Sequence, residues 1–147
     1  MRSQLDCVHD SLPGTGVFDL KTRAISPIRH DVYNYLKYVG QSLTSLTGRY
    51  DSFESEYYDM VRAAFLEYSF QARIGNMDGI LVAYHNTARI FGFQYVSLDE
   101  MDRCLFGREG AGARVFQRCI WLMEMLYRHI TRCFPDQVRL ILPQGLG

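Results

Sequence analysis

The stretch QLDCVHDSLPGTGVFDLKTRA, Gln4 to Ala24, decides the fold. Two runs, Arg2 to Val8 and Thr15 to Ala24, read as strands. Pro13, Gly14 and Gly16 supply the turn between them, and the whole predicts a β-hairpin. Side chains alternate along a strand, so Asp19 and Lys21 share one face with Val17 and Arg23, while Phe18 and Leu20 point to the other and into a predicted core. Asp6 lies on the first strand, thirteen positions before Asp19, and hairpin pairing can bring the two acids together. Adjacent carboxylates repel unless a cation lies between them. Mg2+ or Mn2+ is the hard cation that takes such oxygen ligands. A metal of that kind activates water and neutralises a phosphate oxygen. Lys21 would then orient the water or stabilise the developing phosphorane charge. The plain alternative is a half-exposed strand whose Asp19 and Lys21 are solvated and paired across their neighbours.

The rest of the chain sets bounds on that idea. Its 147 residues suffice for one domain with a core, and 48% hydrophobic with 22% charged residues is the balance of a globular protein. No apolar run is long enough to span a bilayer. Asp6 and Asp10 interrupt the N-terminus, which resembles neither a secretory signal nor an arginine-rich leader, so residues 1–147 read as a fragment or a processed piece. The four cysteines, Cys7, Cys104, Cys119 and Cys133, show no paired spacing and are expected to be reduced and mostly buried. A zinc site built on Cys7 and His9 lacks a second ligand pair. Net charge is zero, which argues against nonspecific nucleic-acid binding. The distribution is uneven: residues 51–80 carry two basic and six acidic side chains, residues 101–147 seven arginines and four acids.

Further along, Pro27 ends the hairpin, a short helix is expected over Val32 to Val39, and Gly40 to Gly48 reads as loop. A helix capped by Ser52 or Ser55, with Glu54 and Glu56 in its first turn, runs to about Arg73 and stops at Gly75. Ile80 to Tyr84 and Ile90 to Val96 have strand length. Ser97 caps a short helix with Glu100 in the capping-box position, and a long last helix runs from Arg108 or Ala113 to Cys133. The expected architecture is one α/β domain: hairpin 2–24, linker or insertion 25–50, helix 52–74, strands within 80–96 and helices within 98–134.

Asp6 followed by Asp19-Leu20-Lys21 resembles the PD-(D/E)XK signature of restriction-type nucleases, with Leu5 where a proline often precedes the first acid. Longer strings are more specific. LPGTGVFDLKTRA (Leu12 to Ala24), YDSFESEYYDMVRAAFLEYSFQARIGNMDGILVAYHNTARIFGFQY (Tyr50 to Tyr95) and SLDEMD (Ser97 to Asp102) resemble the fungal mitochondrial RNA-processing and decay family within that superfamily. The resemblance implies a restriction-endonuclease-like core, a mixed sheet flanked by helices. It implies metal-dependent 5′-to-3′ exoribonuclease activity with Mg2+ or Mn2+, held by Asp6, Asp19 and the Leu20 backbone carbonyl. It implies a mitochondrial location and, as partners, the 5′ end of single-stranded RNA and the mitochondrial gene-expression machinery, and it admits peripheral association with the inner membrane. Only five residues precede Asp6, so the chain reads as the C-terminal part of a nuclease domain, lacking its first helix and strand.

On a helical wheel with Tyr57 at the origin, Val61, Ala64, Tyr68 and Ala72 form one apolar stripe, and Gln71 falls on it. In related nucleases the helix after the D-x-K strand supplies a Gln to the site. Gln71 resembles that residue, although Gly75 stands where a Tyr is usual. Gln71 would support the metal's ligands, or else sit at the core edge bonded to backbone. Arg73 lies on the opposite side, solvated or reaching a phosphate, and Arg23, on the Asp19 face, is a phosphate candidate. His85 and Asn86 face the site or begin a turn; His9 and Asp10 belong to the hairpin loop. On the last helix Arg114, Arg118, Arg128 and Arg132 form a stripe with Trp121 and Met125 between them, while Val115, Cys119, Leu122 and Leu126 gather on a far side expected to pack inward. Arginine forks onto phosphate and an indole can stack on a base, so the stripe is a track for single-stranded RNA or a solvated cationic face that pairs with the acidic middle. Two functions remain open: an RNA-cleaving enzyme, or a non-catalytic RNA- or partner-binding module that keeps the nuclease fold.

Overall fold

The computed structural model describes residues 7–134. The chain divides into two compact units, residues 1–112 and 113–147. The first is α/β. Its strands are β1 (Cys7–Val8), β2 (Val17–Ala24), β3 (Gly79–His85) and β4 (Ile90–Ser97), and its helices α1 (Ser26–His30), α2 (Phe53–Ala63), α3 (Phe65–Gly75) and α4 (Leu98–Phe106), with a 3₁₀ helix over Val32–Lys37. The final helix, α5 (Ala111–Cys133), makes up the described part of the second unit from residue 113.

The sheet is mixed, in the order β1-β2-β3-β4. β2 runs parallel to β3, with Asp19 beside Ile80, Lys21 beside Val82 and Arg23 beside Tyr84. The other two pairings are antiparallel. Laterally paired residues project to the same side. The charged stripe Asp19-Lys21-Arg23 therefore lies next to the apolar stripe Ile80-Val82-Tyr84, which builds the core with Met60, Phe65, Val96 and Met101. Each of those seven core side chains is fully buried, worth about 1.5–3 kcal/mol apiece in apolar area removed from water. The sequence expectation for β2 is thus reversed in one respect. The helices cover the Asp19 face, whereas Leu20, expected in the core, is 43% exposed.

The helix expected over 52–74 is two. Its cap is reciprocal: Ser52 Oγ accepts from Ser55 N at 3.1 Å, and Ser55 Oγ accepts from Ser52 N at 3.4 Å. The helix breaks at Ala64, whose φ of −133° is not helical. Met60 and Phe65 are both fully buried in one cluster. Five residues apart on an unbroken helix they would diverge by about 140°, so the break lets both reach the same core. Asn76, in the left-handed region at φ 52°, ends α3. Ser97 Oγ accepts from Glu100 N and caps α4. The cysteines depart from expectation: Cys104, Cys119 and Cys133 are exposed and Cys7 is half-buried, all four as free thiols. No helix among the described residues is long and apolar enough to cross a membrane.

Candidate active site

β2 delivers Asp19 and Lys21 to the helix-covered face, and α3 delivers Gln71 and Tyr68 from above. Asp19 is 6% exposed. Lys21 Nζ stands 2.6 Å from Asp19 Oδ2 and donates to Gln71 Oε1 at 2.7 Å. It also lies 5.3 Å from the centroid of the Tyr68 ring, within cation–π range. The Gln71 amide has its nitrogen on Glu67 Oε1 at 3.2 Å. A donor on one side and an acceptor on the other fix which way the amide points. Asp19 and Lys21 are thus brought together with Gln71, fifty positions beyond Lys21, and Glu67 and Tyr68 are added. Their signal in the sequence was spacing alone: Glu67 is four residues and Tyr68 three residues before Gln71, on its own helix face.

The remaining candidates lie elsewhere. Asp6 falls outside the described residues. Among the described residues no group of three or more His, Cys, Asp or Glu side chains is arranged to hold a metal ion, so the Cys7–His9 zinc idea gains nothing. Arg23 shares the Asp19 face as expected but is not open to a phosphate. It is 6% exposed and sits in a box with Arg29, Glu56 and Asp59. Its Nη2 donates to Asp59 at 3.1 Å. Arg29 donates to Glu56 at 2.5 Å and also to Asp59 and the Ala24 carbonyl. The Ser26 amide completes the box on Glu56 at 2.6 Å. Burial pushes the Arg23 guanidinium pKa down, with Arg29 adding to the effect and Glu56 and Asp59 opposing it.

Arg73 is neither solvated nor free. Its side chain is 9% exposed; Nη2 donates to both Asp102 carboxylate oxygens, at 2.7 and 2.8 Å, and Nη1 donates to Ser69 Oγ at 2.8 Å. The wheel placed it away from the sheet correctly, but α4 packs on that side of α3 and brings Asp102 with it. Asn86 settles as a turn residue, 2% exposed: its amide nitrogen donates to the Val39 and Gln41 carbonyls and its oxygen accepts from the Ala88 and Arg89 amides. On α5, Arg114 and Arg118 border a notch of about 320 Å3 with Gln117 and Trp121. Arg128 is paired with Glu124 at 2.5 Å, and Arg132 occupies the last turn. On the far side of α5, Leu122 is 59% and Leu126 56% exposed. Periodicity reports a stripe, not what covers it.

Comparison with known proteins agrees with the family part of the resemblance in the sequence, a fungal mitochondrial family. The chain is 45% identical over 137 residues to the fission yeast (Schizosaccharomyces pombe) "mRNA degradation protein pet127, mitochondrial", covering 93% of this chain and 26% of that protein. It is 54% identical over 105 residues to the budding yeast (Saccharomyces cerevisiae) "Putative mitochondrial translation system component PET127", covering 69% of this chain and 13% of that protein. The chain thus spans about a quarter or less of the length of these relatives. No solved structure matches it. The sequence model of one family, described as "Mitochondrial protein Pet127", matches residues 1–128, and the chain belongs to that family of mitochondrial proteins.

Proposed function

We propose that Asp19, Lys21 and Gln71 form the hydrolytic centre of a metal-dependent phosphodiesterase of the PD-(D/E)XK type, acting on RNA as a 5′-to-3′ exoribonuclease in mitochondrial RNA processing and decay. The observation that carries this reading is the Lys21 ammonium, held at 2.6 Å from Asp19 and 2.7 Å from Gln71 on the covered face of the sheet. The relative named for mRNA degradation supports RNA as substrate. The direction of cleavage rests on family resemblance alone.

The proposed donors are oxygens, the type a hard cation takes: Asp19 and the Leu20 carbonyl, with Glu67 linked to Lys21 through the Gln71 amide. Asp6 would complete the set. Cys7 pairs with Phe18, and Asp6 and Asp19 are the sequence neighbours of those two residues. Mg2+ or Mn2+ bound there would supply Lewis acidity toward a phosphate oxygen. Lys21 holds the attacking water by a hydrogen bond from its ammonium and offsets negative charge that grows on the phosphoryl oxygens. Gln71 keeps the ammonium aimed, and Asp19 pairs with it at 2.6 Å. The covered face limits access of bulk water, which strengthens each of these interactions.

A non-catalytic RNA- or partner-binding module is the second reading. It is favoured by the Asp19–Lys21 pair itself, which already neutralises the one site carboxylate that the described residues place on β2. The test is metal-dependent cleavage of a 5′-monophosphorylated RNA by the purified protein beside Asp19→Ala and Lys21→Ala. The enzyme reading expects activity in the first and at least a hundredfold loss in both variants, on the order of a lost preorganised charge. Equal activity in all three removes the site.

A further inference from the structure

We infer that the notch on α5 bordered by Arg114, Gln117, Arg118 and Trp121 is a nucleotide-binding site for single-stranded RNA, in which one base stacks on the Trp121 indole and the adjoining phosphate is held by Arg114 and Arg118. This deepens the RNA reading above and rests on it, but it involves no residue of the hydrolytic centre.

Four observations on α5 lead there. The four residues are spaced i, i+3, i+4 and i+7, so they lie on one face over about 10 Å of helix. They line an open notch of about 320 Å3, at the lower end of the size that small ligands occupy. Trp121 is 51% exposed, and among the described residues no cation stacks on its ring. Among the described residues Arg114 and Arg118 have no acidic partner, because Glu124, the one acid on α5, is bonded to Arg128. A pair of guanidiniums without an acidic partner among the described residues, beside a half-exposed indole, matches the two halves of a nucleotide: forked donors for the phosphate and a ring for the base. Gln117, with a donor and an acceptor on one amide, can read a base edge. An acidic peptide would satisfy the arginines and leave the indole unused.

Trp121 is the one tryptophan in the sequence, so its emission reports on this notch. Oligouridylate is titrated into the 147-residue chain in EDTA, where no metal-dependent cleavage can occur. The expected result is saturable quenching of Trp121. Labelled RNA read by anisotropy should bind about tenfold or more weakly to Trp121→Ala, and within about threefold of the parent to Trp121→Phe, which keeps a stacking ring. Arg114→Gln with Arg118→Gln should lower the slope of log affinity against log salt by about 0.7, the one phosphate the pair holds on a single strand. RNA that binds without quenching, affinity unchanged in Trp121→Ala, or equal quenching by polyglutamate would each overturn the inference, the last by making the notch a protein-docking surface. Quenching that survives where Asp19→Ala retains full cleavage sinks the hydrolytic centre alone. Cleavage lost in Asp19→Ala without any quenching sinks the notch alone.

Discussion

Gln71 Oε1 accepts a hydrogen bond from Lys21 Nζ at 2.7 Å, joining residues fifty positions apart in sequence. The same amide donates to Glu67 at 3.2 Å. Turning the amide over would set its NH2 against the ammonium and its oxygen against a carboxylate, so both contacts hold one orientation. Lys21 is therefore clamped between a strand acid and a helix amide, and its direction depends on α3 as much as on β2.

Replacing Gln71 with Met keeps length and removes both hydrogen bonds. Lys21 retains Asp19 at 2.6 Å, so the fold is expected to lose no more than about 1 kcal/mol. RNA cleavage should fall about tenfold to a hundredfold, the usual effect of losing a residue that orients an active-site group. Single-turnover rates and urea denaturation measured on the same variant separate the two effects. Full activity in Gln71→Met would take the amide out of the mechanism.

Arg23→Met tests the charge box. Glu56 is 3% exposed and would lose one of its cations, although Arg29 and the Ser26 amide remain. A loss of about 3 kcal/mol is expected, at the low end for breaking a buried pair. Urea denaturation reads it, and RNA affinity should not change. Weakened RNA binding at constant stability would give Arg23 a phosphate after all.

Much of this arrangement was legible in the sequence. Alternation on β2 put Asp19, Lys21 and Arg23 on one face, and the helical wheel put Gln71 toward the sheet. What alternation cannot say is which face the helices cover. Asp19 and Arg23 went under α2 and α3 because Glu56, Asp59 and Gln71 wait there to pair with the charges, and Leu20 was left half exposed on the other side. Arg73 was misread for the same reason: a single wheel shows the face a residue occupies but not that Asp102, twenty-nine residues on, will meet it. The break at Ala64 had no signal in its own residues, neither Pro nor Gly, and follows from the core's demand for both Met60 and Phe65.

Asp102 is 1% exposed and does two things: both its oxygens accept from Arg73 Nη2, and Oδ2 accepts from the Gly112 amide at 3.1 Å. Asp102→Ala should cost about 3–5 kcal/mol, because it leaves a guanidinium buried without its carboxylate. Arg73→Met combined with Asp102→Leu should recover most of that loss, since apolar replacements of a buried pair are often neutral. Gly112→Ala should be destabilising as well. A methyl group there would sit 2.0 Å from Asp102 Oδ1, and the carboxylate would have to leave Arg73. Guanidinium denaturation of the three variants gives the ranking. A double variant no better than Asp102→Ala would show that packing, not the pair, is what α3 and α4 require.

Alkaline titration examines the core itself. Tyr84 is fully buried, donates its hydroxyl to Gln94 Oε1 at 2.8 Å, and has its pKa pushed up to about 12 chiefly by that burial. Tyr57 is pushed well above the ordinary tyrosine range by burial and by its hydrogen bond to Glu100, and burial raises Tyr95 too. In the unfolded chain these phenols ionise near about 10. Between the two values the folded state keeps protons that the unfolded state has released, so stability falls as pH rises. The contribution is complete below about pH 10 and, for Tyr84, is gone above about pH 12, a loss on the order of 2 kcal/mol. Tyrosinate absorbance should therefore show a late, cooperative phase that coincides with unfolding. Tyr84→Phe should shrink the late phase and flatten the decline in stability above pH 10, at a cost of about 1 kcal/mol at neutral pH from the lost bond to Gln94. A single phase near the ordinary tyrosine value, with the far-ultraviolet circular dichroism intact, would mean that Tyr84 is not sealed in the core on which α3 and the Lys21 clamp rest.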